Sequence, residues 1–258
     1  QVLDDPNPNT VYDGPLVVLV DRFSASASEI FAAAIQDYQR GIVIGQQTFG
    51  KGSVQNLFDL DRYIRGSANG QLTLTTGKYY RITGESTQHR GVLPDISLPS
   101  FVDPDSVGES TRDTALPWDR IQPTRFSRWP SLLEEIESLS REQQSQPGLD
   151  PDLGFLLAEI AAVEENRDKE SFSLNLAERQ AELESAEAEQ LTRENGRRAA
   201  RGLEPIASLE ELDAESTASA AEILLNQATR LTARMVEDGS PRPMLSGVEQ
   251  PSSAPAPQ

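Results

Sequence analysis

Cysteine is absent from this 258-residue chain, and histidine occurs once. The first absence excludes disulfides and thiolate metal sites and fits any redox compartment. The second leaves His89 as the sole imidazole, too little for a histidine-based metal site. Lysine is scarce: Lys51, Lys78 and Lys169 stand against twenty arginines. No apolar run approaches the ~20 residues of a membrane-spanning helix, and no signal peptide opens the chain. Gln1 is not an initiator methionine, so the chain reads as a piece of a longer polypeptide. Positive charge is short as well, with a formal net charge of −18. Nucleic acids and anionic membranes repel such a surface, which argues against either as a partner. The deficit is uneven. Residues 1–100 hold 10 acidic and 8 basic side chains, residues 101–258 hold 31 and 15. A near-neutral folded part is therefore followed by an acidic one.

What is present divides along the same line. Pro15–Val20 and Ile42–Ile44 are short apolar runs, the pattern of strands buried on both faces of a parallel sheet. Between them Ser26-x-x-Glu29 matches a capping box. Ile30, Phe31, Ala34, Ile35 and Tyr38 follow at helical spacing, and Gly41 stops the helix. Strand, helix, strand predicts a βαβ unit. Strands are also predicted over 54–60, 71–76 and 78–82, and Gly91–Ile96 closes this first part. Residues 101–114, rich in Asp, Ser and Gly, read as a linker. The pattern then turns helical: a helix from Ser131, one from Asp150-Pro151, one over 176–201 interrupted at Gly196, one from Ser208, and a last over 217–236. Residues 239–258, rich in Pro and Ser, read as a disordered tail. The expected division is a core at 1–100, a linker at 101–114, a helical domain at 115–238 and a tail at 239–258.

The chemistry concentrates in two fragments, Ser24-Ala-Ser-Ala-Ser-Glu29 and Gly50-Lys-Gly-Ser-Val-Gln55. A serine hydroxyl becomes a nucleophile when a base takes its proton. Ser26 at a helix start lies beside free N–H groups, and the N–H of Ala27 is suited to a developing oxyanion. Ser26 equally fits the plain role of N-cap, with Glu29 as its partner. Lys51 can do what arginine cannot, because a desolvated amine serves as a base near neutral pH. Gly50 and Gly52 permit a tight course that aims the amine inward. A solvated loop lysine is the alternative. A phosphate loop is not, since the Gly-x-x-x-x-Gly-Lys-[Ser/Thr] pattern is missing and a strand follows. Gln55 is placed to orient the amine through its amide oxygen, or is an ordinary strand-surface residue. A Ser-His hydrolase would need His89 against Ser26, but Ser86–Gly91 is polar and reads as a solvated loop.

Together, Asp21–Ala34, Thr48–Gln55 and Gly91-Val-Leu-Pro-Asp95 resemble the tail-specific proteases, or C-terminal processing peptidases. The likeness is to their Prc-type periplasmic branch, and Ala115-Leu-Pro-Trp-Asp119 and Ser173-Leu-Asn175 resemble that branch's helical region. It covers most of residues 15–180 and, more loosely, the helices to about 236. The resemblance implies an α/β protease core with a crotonase- or Clp-like sheet and helices, followed by an all-α C-terminal domain. It implies a serine endopeptidase with Ser26 as nucleophile, Lys51 as general base, Gln55 as its orienting residue and the Ala27 N–H as half of the oxyanion hole. No metal or cofactor is implied. The implied partners are protein substrates with an apolar free C-terminus and a helical adaptor protein, with room for peripheral association with the inner membrane. The implied location is the periplasm of a Gram-negative bacterium. A PDZ segment and an upstream strand bearing the other oxyanion donor normally precede this region, so residues 1–258 alone are expected to be poorly active. A non-catalytic scaffold that binds periplasmic partners through the helical domain stays open as the alternative.

Overall fold

A computed structural model describes residues 7, 9–64, 66, 69–212 and 218–238. Its centre is a three-stranded parallel sheet in the order β1-β2-β5: β1 (Val17–Val20), β2 (Ile42–Gly45) and β5 (Ile96–Ser97). Val17 to Val20 of β1 pair with Ile42 to Gly45 of β2, and Ile44 and Gly45 pair with Ile96 and Ser97. Helix α1 (Ala27–Asp37) connects β1 to β2, completing the expected βαβ unit.

Alternation along β2 sends its side chains to opposite layers. Val43 joins Val20, Ala32, Ala33 and Val92 in a cluster under α1. Ile42 and Ile44 join Ile96 and Leu98, and this second face is covered by the helical region through Leu132, Leu139, Leu231 and Met235. These last residues belong to, or immediately precede, α2 (Leu133–Ser145) and α5 (Ala220–Glu237). Helix α3 (Pro151–Arg167) packs Leu153, Leu156 and Ile160 against Ile223 of α5. Helix α4 (Leu176–Ala200) lies against α3. The protein is therefore an α/β sheet followed by a helical C-terminal part.

A separate antiparallel hairpin, β3 (Ser53–Asp59) and β4 (Gln71–Lys78), leaves the sheet directly after Lys51, with a bulge at Val54/Gln55. Here the prediction of strands at 71–76 and 78–82 is corrected. One strand runs through to Lys78, and residues 79–82 leave the ladder. The Tyr79 N–H donates to Gly52 O, Arg81 N–H donates to Glu85 O, and Gly84 N–H closes a turn on Arg81 O. The helix from Ser208 is a single 3-10 turn, Leu209–Glu211, with no side-chain cap. Gly196 does not interrupt α4. A glycine costs a helix only about 1 kcal/mol relative to alanine.

Residues 101–124 run over the surface of the sheet part with regular attachments. Phe49 O accepts from Glu109 N–H, Asp119 O from Ser86 N–H, Gly84 O from Ile121 N–H and Ile82 O from Thr124 N–H. Trp118 Nε1 donates to Ser86 O at 2.9 Å, and its ring lies under the Arg90 guanidinium. Among the described residues no helix is long and apolar enough to cross a membrane. The tail at 239–258 lies outside the described residues.

Candidate active site

The turn leaving β1 is tied by Asp21, whose Oδ1 accepts from the N–H groups of Phe23 and Ser24 and from the Ser24 hydroxyl. It delivers Ser26 to the N-cap of α1 at φ 57°, ψ −111°. A non-glycine residue there stores about 1–3 kcal/mol of backbone strain, the kind of strained strand-to-helix turn that presents a nucleophile. Ala27 takes the first helical position, where the N–H has no intrahelical partner. The expected capping-box arrangement is in place, but the Ser26 hydroxyl makes no well-formed capping bond. The working half is Glu29, whose Oε2 accepts from Ser26 N–H at 2.8 Å.

Glu29 is fully buried and does more than cap. The same Oε2 accepts from Lys51 N–H at 2.9 Å. Its Oε1 accepts from the Thr48 hydroxyl at 2.6 Å and from Gly50 N–H at 2.7 Å. One carboxylate oxygen thus holds the backbones of Ser26 and Lys51 together. Tyr79 adds a second bridge from the other side: its hydroxyl donates to Lys51 O at 2.6 Å, with Ser26 O at 3.1 Å. Burial, with the Glu29 charge adding to it, pushes the Tyr79 phenol up to about 12.

The lysine loop needs both of its glycines. A Cβ on Gly50, which sits at φ 93°, would be 2.7 Å from His89 O. One on Gly52 would be 2.8 Å from Gln88 N. The Lys51 amine donates to Gln55 Oε1 at 3.3 Å, and Gln55 Nε2 lies 3.5 Å from the Thr75 hydroxyl on β4. The contact of amine and amide expected from the four-residue spacing is therefore made. His89 lies beside the loop through its main chain, with its N–H on Gly50 O at 2.8 Å and a φ of 65°. Its imidazole is less solvated than expected: Nε2 is buried and makes no hydrogen bond.

Three contributors were missed by sequence reasoning. Glu29 was legible only as a cap, Tyr79 only as a strand residue, and Arg22 not at all. Arg22 is almost completely buried and donates to Thr48 O at 2.5 Å, Val107 O at 2.6 Å and Pro104 O at 2.8 Å. Burial pushes its guanidinium down, against the pull of Glu29, Asp105 and Asp103. Arg81 grips Asp37 through two nitrogens, at 2.6 and 3.0 Å, tying the end of α1 to the turn after Tyr79. The signal for Arg22 and Glu29 was a charged residue inside an otherwise small and apolar stretch. A cleft of about 810 Å³ between Pro15, α2 and the end of α5 includes none of these residues.

Comparison with known proteins bears on this geometry. Residues 2–98 match the model of peptidase family S41, and residues 102–244 match that of the C-terminal domain of tail specific protease. A tail-specific protease of Haemophilus influenzae is 36% identical over 245 residues, covering 92% of this chain and 34% of the relative. A carboxy-terminal-processing protease of Bartonella bacilliformis is 50% identical over 82 residues, covering 32% of this chain and 18% of the relative. A solved photosystem II D1 C-terminal processing protease aligns at 40% identity over 35% of this chain and 21% of its own, with a TM-score of 0.29. The chain spans about a third of the length of the Haemophilus relative.

Proposed function

This chain belongs to the tail-specific proteases of peptidase family S41, and on that premise we propose that it carries the nucleophile and base of a serine endopeptidase. Ser26 attacks the scissile carbonyl, and the neutral Lys51 amine takes the hydroxyl proton. The Ala27 N–H supplies one donor for the oxyanion. The Lys51 ammonium then protonates the leaving amine, and water releases the acyl group from Ser26 in the second half-reaction. Gln55 holds the amine from the side of β3, and no metal or cofactor enters any step. The observation that carries this reading is the pair of N–H groups, Ser26 and Lys51, on one oxygen of buried Glu29. The Lys51–Gln55 hydrogen bond supports the base assignment.

The substrates we propose are proteins ending in an apolar free C-terminus, met in the periplasm of a Gram-negative bacterium, with a helical adaptor as a further partner. Substrate selection and the second oxyanion donor belong to sequence outside this chain. Within it, residues 1–100 serve as the C-terminal part of the catalytic core, 101–114 as the linker and 115–238 as the helical domain.

The test uses the natural full-length protein and an unfolded reporter ending in apolar residues. Ser26→Ala and Lys51→Ala are expected to lower kcat by roughly a hundredfold or more, the range of general-base contributions. Lys51→Arg is expected to be as inactive as Lys51→Ala, because it keeps the charge and loses the base. His89→Ala is expected to keep activity. Cleavage that survives Lys51→Ala and disappears in His89→Ala would replace this mechanism with a Ser-His one. Absence of cleavage by the wild type with every reporter tail would favour the scaffold reading.

A further inference from the structure

The loop that carries Lys51 is also held by Glu109, from the segment that joins the sheet to the helices. Glu109 lies at the start of a 3-10 turn, Glu109–Thr111, within the stretch that matches the C-terminal domain of tail specific protease. Its N–H donates to Phe49 O at 3.0 Å. Its Oε1 accepts from Gln88 Nε2 at 3.3 Å, and Gln88 Oε1 accepts from Gly52 N–H at 2.8 Å. Both side chains are buried, Gln88 completely. The two contacts grip the loop two residues before Lys51 and one residue after it.

The chemistry of this relay is directional. A buried glutamine amide can turn end for end, which would aim its NH2 group at the Gly52 N–H and lose that bond. A carboxylate opposite prevents the turn, because only the Nε2 end can face it. Glu109 therefore sets which way Gln88 points, and Gln88 sets where Gly52 stands. The approach is built for closeness. At Gly108, φ 140°, a Cβ would lie 2.3 Å from Arg22 Nη2 and 3.1 Å from Phe49 O. Arg22 joins Thr48 O to the carbonyls of Pro104 and Val107, so the segment just ahead of Glu109's turn is fastened beside the loop that carries Lys51. Arg112 completes the group, 3.8 Å from Glu109 Oε2 and above the Phe49 ring.

We propose that Glu109 is a positioning residue for Lys51, acting through Gln88, so that the segment leading from the sheet to the helical part helps to set the base of the catalytic core. The proposal rests on the reading of Lys51 as that base. It is tested in the full-length protein by steady-state cleavage of the apolar-tailed reporter, with melting temperatures measured alongside. Glu109→Ala is expected to lower kcat about tenfold or more with KM changed less than about twofold, as small misplacements of reacting groups do. Glu109→Gln is expected to retain most of kcat, because its amide oxygen still accepts from Gln88 Nε2. Gln88→Glu sets two carboxylates against each other and is expected to be worse than Glu109→Ala. The double variant Gln88→Glu/Glu109→Gln reverses the polarity of the pair, leaves an acceptor for Gly52 N–H, and is expected to recover kcat to within about threefold of wild type.

A wild-type kcat in Glu109→Ala, a loss confined to KM, or a double variant as poor as Gln88→Glu would each overturn the proposal. If Glu109→Ala does not fold, the comparison of Gln88→Glu with the double variant decides. Lys51→Ala in the same series separates the two levels. Its inactivity beside an unaffected Glu109→Ala would sink the relay alone, whereas its full activity would sink the base assignment itself.

Discussion

Glu29 receives four hydrogen bonds in a site closed to water, from Ser26 N–H, Lys51 N–H, Gly50 N–H and the Thr48 hydroxyl. An orphaned buried donor costs about 1–3 kcal/mol, so Glu29→Ala is expected to lower the melting temperature clearly and abolish cleavage. Glu29→Gln is expected to fail too, because one end of an amide presents N–H groups to donors. Unchanged melting and cleavage in Glu29→Ala would show that the carboxylate does not organise the loop. Tyr79 gives a pH-dependent counterpart. Its phenol is pushed from 10.0 to about 12 in the folded protein, so the fold favours the neutral form. The unfolded chain releases that proton first, and the associated stability is full below about pH 10 and is lost as pH rises from about 10 to about 12. Tyr79→Phe should flatten that part of the stability curve, measured by urea unfolding at stepped alkaline pH. An unchanged curve would mean the phenol is not held neutral. Ser26, Lys51 and Gln55 stand out as candidates because their signals are local: a cap motif, a pair of flanking glycines, a four-residue spacing. The other three bonds of Glu29 and both bonds of Tyr79 cross 19 to 53 residues of chain, and no local pattern encodes such a contact.

Among the elements, β2 was the easiest to read and is the most constrained. Its continuous apolar run is what two covered faces require, and all four of its residues are buried. Gly45 ends the strand at φ 130°, where a Cβ would stand 1.9 Å from Val20 O. Gly45→Ala must therefore push β1 away from β2 while adopting a backbone that L residues avoid, and it is expected to cost more than about 2 kcal/mol. A urea midpoint within error of wild type would mean the pairing of Val20 with Gly45 is dispensable. The elements read less well were those settled by partners far along the chain. Tyr79 to Ile82 alternate as a strand should, yet the Tyr79 hydroxyl goes to the Lys51 loop, Tyr80 to Asp119 and Arg81 to Asp37. Residues 101–114 have a linker's composition, but a buried guanidinium and a buried carboxylate fasten them to the sheet part. Composition reports the absence of a core face and is silent on main-chain hydrogen bonds.

For the whole molecule, the boundary near residue 100 that separates two family matches does not separate two cores. Ile42, Ile44, Ile96 and Leu98 from the sheet share one cluster with Leu132, Leu139, Leu231 and Met235 from the helical part. Removing the helices would uncover a face of β2, and removing the sheet would uncover the inner faces of α2 and α5. Arg230 further knits α5 to α2 through Glu142 and Gln143. Burial shared in this way couples the two parts, since neither keeps its apolar surface dry without the other. Residues 1–258 are accordingly expected to unfold in one cooperative calorimetric transition. Leu231, fully buried at this junction, provides the discriminating variant. Leu231→Ala creates a cavity expected to cost about 2–5 kcal/mol. If the core is shared, that loss lowers the melting of the α5 helix and of the sheet together, reported by far-ultraviolet dichroism and, in a Trp129→Phe background, by the fluorescence of Trp118 on the sheet side. Two resolved transitions in the wild type, or a Leu231→Ala variant that melts its helices early while Trp118 keeps its wild-type midpoint, would show that the helical part is an attachment, and that contacts such as Glu109 on Phe49 are made by a domain free to leave.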